Sequence, residues 1–520
     1  MDFVDSANSA YFGKKGYTIP KCELTIQQHN TIRDDLTVSP NISINMGGPK
    51  IQFPIYRESP KKFYLPKHYG IQKFGIPLEN HNDSGLPIAI DFAGSLRDYQ
   101  INIVNTYMSN IQKGNFGGLL EIGCGQGKTI MALNILSKLK LKTLVIVHKE
   151  FLMNQWIERI NFALPDARIG IIQGSKCEIE GNDIIIGMLQ SLALKDFSND
   201  TFDDIGHVII DECHRIPSKI FMRTLFKINC NYMLGLSATP NRKDGCTKIL
   251  KWFIGDVIYN AKTKDKNIVK VDRYIIESED ENYNKELLNF RGQVQMATMV
   301  NQIVMYLKRT KMLVKKIRED IDNNENRQFL ILSDRKQQLL DFEKLLKESG
   351  IESVGYYVGG MKKKDLKESE SKKILLGTYP MANEGLDIPS LNGLVLATPK
   401  SDIIQTVGRI SRIKHENIQP LIIDAVDNFL IFERQGKKRL DLYKKNKYEV
   451  EDIKYDLDKN EIFERKKYHY HNINVNDSSN KMDSDILNYC NEIDDNNNNK
   501  KLKTIEKDKM DELFNIFDSF

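Results

Sequence analysis

Gly118-Leu119-Leu120-Glu121-Ile122-Gly123-Cys124-Gly125-Gln126-Gly127-Lys128-Thr129 is the stretch on which the fold turns. Its first five residues make an apolar run of the length of a buried strand, and the rest is a glycine-rich turn closed by Lys-Thr. Glycines let the backbone curl, so that successive N–H groups from Gly123, Cys124, Gly125, Gln126 and Gly127 face one anion. Lys128 then reaches the outer phosphates, and the Thr129 hydroxyl serves a magnesium ion. Ile130-Met131-Ala132-Leu133-Asn134-Ile135-Leu136 follows as a helix whose positive end adds to the attraction. The strict pattern G-x-x-x-x-G-K-[ST] asks for glycine where this chain has Ile122, so only the G-x-G-K-T core is intact. What separates a phosphate site from an inert glycine turn is strand, loop and helix in that order.

A second apolar run, His207-Val208-Ile209-Ile210, ends in Asp211-Glu212-Cys213-His214. An aspartate at the carboxyl end of a strand beside a phosphate loop is placed to hold magnesium, and the adjacent glutamate to orient or deprotonate an attacking water. Alone, Asp-Glu at a strand end is equally the composition of a solvated turn. Cys213 and His214 do not make a metal site, because no other Cys or His stands at ligand spacing.

With 520 residues, 41% apolar and 28% charged, the chain has room for two or three globular domains. A net charge of +5 against 75 basic and 70 acidic groups permits a nucleic-acid partner without requiring one. Seven scattered cysteines with no C-x-x-C suit a reducing, intracellular compartment. The first residues lack a secretory pattern, and no apolar stretch approaches the roughly 20 residues that span a bilayer, so no membrane partner is expected.

Apolar runs at 143–147, 183–186, 207–210 and 232–236, separated by helical patterns, predict a doubly wound α/β domain over 91–260. Its chemistry belongs at the carboxyl ends of the strands. The rhythm returns at 328–332, 353–357, 373–376, 393–396 and 421–423, predicting a second α/β domain over 326–455 without a phosphate loop. Residues 261–325 are expected as linker helices. Residues 1–90 read as a small α+β domain, with Thr25 and Gln28 in a capping box and two strands around 58–61. Between Arg57 and Lys73, five basic residues interleave with Phe63, Tyr64 and Tyr69. That mix suits a nucleic-acid surface or an inward-packed hairpin with wetted lysines. Residues 456–520 are expected as a low-complexity tail, disordered where Asn, Asp and Ser dominate at 471–501.

Further motifs inform by their order. Leu96-Arg97-Asp98-Tyr99-Gln100 precedes the phosphate loop, and Ser237-Ala238-Thr239-Pro240 follows the carboxylates. The second domain carries 377–389, from Gly377-Thr378 to Asp387-Ile388-Pro389, and then Gln405-Thr406-Val407-Gly408-Arg409-Ile410-Ser411-Arg412. Together they resemble the motor core of superfamily 2 helicases, with two tandem RecA-like domains. Phe151-Leu152-Met153-Asn154-Gln155-Trp156, the Asp-Glu-Cys-His box, residues 237–245 and the basic helix after Arg412 look most like the double-stranded-DNA helicases of the XPB type. The poxvirus transcript-release helicases and their giant-DNA-virus relatives look closer still.

The resemblance implies ATP and Mg2+ as cofactors and a nucleic-acid partner, duplex DNA before RNA. It also implies a place with the transcription machinery, in a virion or host cytoplasm. Gln100, supported by Arg97, would meet the adenine edge. Lys128, Thr129, Asp211 and Glu212 would serve phosphate, metal and water, and Arg409 and Arg412 would be arginine fingers from the facing domain. Ser237 and Thr239 would link the nucleotide cleft to the strand groove, and Asp387 would touch the ribose or the facing motif. Gly377 and Thr378 would hold a backbone phosphate, while His148, Lys149, Gln173, Gly174 and Gln405 would lie along the groove. Thr406 and Ser411 depart from the usual Q-R-x-G-R-x-G-R box, which bears on coupling rather than on the finger positions. The competing expectations are an RNA helicase, a non-hydrolysing nucleic-acid scaffold and a restriction-enzyme motor subunit.

Overall fold

The computed structural model describes residues 9–39, 52–123, 125–216, 218–228, 230–238, 246–260, 268–290, 292, 294–384, 386, 388–410 and 418–468. Four sequence-predicted site residues, Cys124, Thr239, Asp387 and Arg412, lie outside the described residues, as do 471–501 and the rest of the chain's end.

The apolar runs of the first domain pair as one eight-stranded sheet. Its order is Lys176–Cys177, Ile169–Gln173, Ile184–Met188, Thr143–Val147, His207–Ile210, Tyr232–Ser237, Gly117–Glu121, Val257–Asn260. All neighbours are parallel except the short edge strand Lys176–Cys177. Side chains alternate across a pleat, so a run apolar at every position must be covered on both faces. Leu144, Ile146, Val208 and Ile210 face a core completed by helices Ser218–Leu225 and Thr247–Ile254. Val145, Val147, Ile209, Leu234 and Leu236 face helices Asp98–Gln112, Lys128–Leu139 and Glu150–Ala163.

The second sheet repeats the plan in the order Val354–Tyr357, Ile374–Gly377, Phe329–Leu332, Gly393–Leu396, Leu421–Asp427, Lys270–Glu277, Glu449–Asp456, Glu461–Tyr468. Two expectations need correction here. Residues 261–325 are not all linker helices: Lys270–Glu277 is an eight-residue parallel strand between Leu421–Asp427 and Glu449–Asp456. Asp272 and Arg273 interrupt its apolar run and hid it. Both are buried, and Arg273 is neutralised by Asp452 at 2.5 Å and the Gly436 carbonyl at 3.3 Å. Likewise the fold runs past 455. Glu449–Asp456 and Glu461–Tyr468 form an antiparallel hairpin whose charges pair, Lys454 with the facing Glu464 and Arg465 diagonally with Glu451. Charge-rich strands of this kind look like tail in a sequence read for apolar runs.

The N-terminal residues form a five-stranded sheet, Arg57–Glu58, Lys62–Leu65, Gly16–Pro20, Tyr11–Gly13, Glu79–Asn80. The capping box is present: Gln28 N–H donates to Thr25 Oγ1 at 3.2 Å and Thr25 N–H to Gln28 Oε1 at 2.7 Å. Within 57–73 two of the three aromatics pack inward and Tyr64 is half-buried, so the inward-packed reading holds in part, and Lys67 departs from its wetted lysines. Phe63 and Tyr69 are buried, and Lys67 is buried with Nζ donating to the Cys230 carbonyl at 2.6 Å. These residues join the same apolar cluster as one face of the first large sheet, which fixes the small sheet to that lobe.

Candidate nucleotide cleft and nucleic-acid rim

Sheet order sorts the candidate residues along one carboxyl edge. His207–Ile210, Tyr232–Ser237 and Gly117–Glu121 are neighbours, so Asp211, Ser237 and the phosphate loop emerge side by side. Ile169–Gln173, Ile184–Met188 and Thr143–Val147 form the next block, which places Gln173, Gly174, His148 and Lys149 along the same rim. Gly174 N–H donates to Ser191 Oγ at 2.9 Å, and Gln190 Nε2 to the His148 carbonyl at 3.3 Å.

Gly125 and Gly127 have φ of +80° and +76°, the left-handed region where a side chain is strained. A Cβ on Gly127 would also stand 2.4 Å from Gln100 Nε2. Gln100 is buried at the head of helix Asp98–Gln112. Its Oε1 accepts from Arg97 N–H at 2.9 Å and its Nε2 donates to the Gln126 carbonyl at 3.0 Å, which the Tyr99 hydroxyl also reaches at 3.1 Å. Gln100 therefore braces the loop, with one amide hydrogen and one lone pair left for a base. The tyrosine's share in this brace was missed from sequence.

Lys128 Nζ donates to Glu212 Oε1 at 2.6 Å across the loop. Burial opposes ionisation of Glu212, but the charges of Lys128, His214 and Arg215 prevail and hold its carboxyl down to about 2. Glu212 sits at φ +46°, a strained backbone for a non-glycine residue, which aims its carboxylate at the lysine. Asp211 goes the other way. Its burial, then the neighbouring Glu212 charge, push its carboxyl above the usual range, although Trp156 Nε1 donates to Oδ2 at 2.9 Å and Glu212 N–H to Oδ1 at 3.0 Å. Such a site fits a divalent cation held by oxygen: a buried carboxylate short of positive charge, with the Thr129 hydroxyl in the first turn of the neighbouring helix. Glu212 Oε2, buried without a hydrogen bond from any described residue, keeps its capacity to accept.

Ser237 is buried with Oγ 2.9 Å from His214 Nδ1, and that nitrogen is 3.5 Å from Glu212 Oε2. The histidine of the Asp-Glu-Cys-His box thus ties two strand ends together, a role that no metal-spacing argument reveals. In the second lobe Gly377 ends strand Ile374–Gly377 and its carbonyl accepts from Ser333 N–H at 3.1 Å, with Thr378 next on the rim. Arg409 is buried in its own lobe with Nη1 on the Leu386 carbonyl at 2.7 Å. Four residues earlier, Gln405 Oε1 accepts from Arg215 Nη2 of the first lobe, so this segment lines the seam. Arg215 was not foreseen, because nothing local marks an arginine whose partner is 190 residues away.

A phosphate loop and paired carboxylates on one α/β lobe, with a second such lobe across the seam, define a two-lobed nucleotide-dependent motor. The family described as type III restriction enzyme, res subunit, matches residues 93–242, and the helicase conserved C-terminal domain matches 308–414. A protein of Acanthamoeba polyphaga mimivirus named as an ATP-dependent RNA helicase, L396, is 34% identical over 451 residues, 84% of this chain and 85% of that one. A protein of Invertebrate iridescent virus 6 named as helicase 161L is 28% identical over 410 residues, 74% of this chain and 87% of its own length. Among solved structures, a fragment of an HsdR subunit of a type I restriction enzyme from Vibrio vulnificus shares the fold. Its TM-score is 0.51 at 19% identity, with 72% of this chain and 71% of that chain covered. The chain belongs to the superfamily 2 helicases and is an ATP-hydrolysing enzyme of that family.

Proposed function

We propose that this helicase is an ATP-driven translocase of the XPB type that engages duplex DNA in viral transcription, at transcript release, or in replication. The observation that carries the reading is the Lys128–Glu212 pair over a buried Asp211, with Arg215 of the same lobe touching Gln405 of the other. Lys128 is held where incoming phosphates would draw it from Glu212, releasing that carboxylate to orient and deprotonate water. Bound magnesium supplies charge neutralisation at the transferred phosphoryl group. Arg409 leaves the Leu386 carbonyl as the seam tightens and, with Arg412, meets the charge that builds on the phosphates. Asp387 serves the ribose side, and Thr239 acts beside Ser237 in coupling. His148, Lys149, Gln173, Gly174, Gly377 and Thr378 grip the strand along the two carboxyl rims. The reading assigns the enzyme to the host cytoplasm or the virion.

RNA is the second reading, favoured by the names of the viral relatives. Rims that grip phosphates do not distinguish the sugars. ATPase rates with duplex DNA, single-stranded DNA and RNA at one fixed salt concentration decide between them, since the electrostatic share of affinity changes steeply with salt. Stimulation by duplex DNA is expected. Stimulation by RNA alone would replace DNA with RNA in this reading, and stimulation by neither would remove the motor.

A further inference from the structure

Helix Glu150–Ala163 leaves strand Thr143–Val147 through His148 and Lys149, two of the proposed strand contacts. Its buried face runs Leu152, Met153, Trp156, Ile160 and Ala163, the spacing of a helix packed on a sheet. Packing alone asks only for apolar volume there. Trp156 brings an indole N–H as well, and a buried N–H needs an acceptor. Trp156 is 1% exposed and gives that hydrogen to Asp211 Oδ2 at 2.9 Å. The other oxygen, Oδ1, accepts from the Glu212 backbone at 3.0 Å, so one bond from each side fixes the plane of the carboxylate. Each oxygen keeps a lone pair for a metal ion or its water.

The indole lies two turns, about 10 Å, along the helix from Lys149. An intact helix transmits displacement as a rigid element, and an N–H···O bond weakens steeply as it lengthens or bends. A shift of a few tenths of an ångström at the rim therefore reaches Asp211. We infer that Trp156 is a positioning residue that sets the Asp211 carboxylate for magnesium and carries nucleic-acid engagement at His148 and Lys149 to the nucleotide cleft. This inference rests on the cleft reading above. It supplies a route distinct from the Ser237–His214 contact, since it runs through a different helix and a different carboxylate.

The chain contains two tryptophans, and the second, Trp252, packs edge-on against Tyr69 of helix Lys67–Phe74. Trp252→Phe thus makes Trp156 the sole indole reporter. In that variant, MgCl2 added to protein holding a non-hydrolysable ATP analogue is expected to change Trp156 emission. A duplex DNA oligonucleotide added in EDTA, without nucleotide, is expected to change it too. Trp156→Phe keeps the ring packing and removes the donor. Its expected result is a kcat lowered about tenfold and a higher Mg2+ requirement for analogue binding, with KM for ATP at saturating Mg2+ within about twofold. Ile160→Val softens the same packing without touching the bond and should leave both parameters alone. Emission indifferent to both additions, or equal losses in Ile160→Val and Trp156→Phe, would overturn the inference. If the parent chain itself failed to bind the analogue, the cleft reading would fall first. If the parent bound and hydrolysed normally while Trp156 stayed silent, only the positioning role would fall.

Discussion

Arg309 in the second lobe and Asp211 in the first are both buried ions, and they are treated in opposite ways. Arg309 places Nε and Nη2 on the two oxygens of Asp427 at 2.6 and 2.9 Å and Nη1 on the Ala397 carbonyl at 2.6 Å, while the Tyr283 hydroxyl donates to the same aspartate at 2.6 Å. On the strand that carries Asp427, Asp424 accepts from Arg439 of helix Leu430–Lys445, which also donates to the Lys400 carbonyl at 2.7 Å. Those charges are matched and hydrogen-bonded all round, which is what lets an ion pair sit inside a fold. Among the described residues Asp211 has two hydrogen bonds and no ion-pair partner, with only the more distant Lys128 charge in its favour and a second carboxylate beside it. Complete networks build architecture; an incomplete one keeps capacity for a ligand.

The contrast breaks most visibly if single substitutions act on the wrong property. Lys128→Ala should cut ATP hydrolysis on the order of 10³-fold and lower the thermal midpoint only by what the pair with Glu212 contributes, less than Arg309→Ala costs. A large drop in melting temperature would mean that the first-lobe pair is architectural after all. Arg309→Ala should do the reverse, destabilising the second lobe by about 3–5 kcal/mol because it strands Asp427 in the core. Denaturant unfolding followed by circular dichroism measures that loss, and a wild-type midpoint would refute it.

Acid titration sharpens the comparison. Glu212 ionises more readily folded than unfolded, so its contribution is present above the ordinary value of 4.5 and drains away as pH falls toward about 2. Parent protein should therefore melt above Glu212→Gln at pH 7, with the gap narrowing below about pH 4.5 and closing near pH 2, whereas Glu212→Gln should retain ATP without turning it over. A gap independent of pH would remove the charge argument. The smallest effect is expected at the seam: Arg215→Ala removes the described hydrogen bond to Gln405, a bond of this kind being worth about 1 kcal/mol. It should raise the nucleic-acid concentration for half-maximal ATPase stimulation a few-fold and leave basal hydrolysis almost intact. Equal loss of basal rate would place Arg215 in the chemistry instead.

Much of the first lobe was legible because its signals are local. The loop glycines, Lys128 and Asp211-Glu212 all follow short, largely apolar runs, and the strands appear where those runs are. The second lobe was legible only in its centre. Strand Lys270–Glu277 was read as part of a helical linker because Asp272 and Arg273 break its pattern, and Arg273 is tolerated through an aspartate 179 residues away. Tyr99, His214 and Trp156 stand inside motifs and Arg215 directly after one, but nothing local says what each side chain binds. Each takes its role from a partner supplied by another element.

The order of motifs along the chain determined by itself that a lobe with a glycine-rich turn between strand and helix precedes a lobe without one. Spacing and residue type encode that much, since a glycine turn between strand and helix works through its own backbone. Only the tertiary structure decided how far each charge is satisfied: Asp427 matched, Asp211 left short, Glu212 paired with Lys128. Those states depend on burial and on partners distant in sequence, and both arise when the sheets assemble.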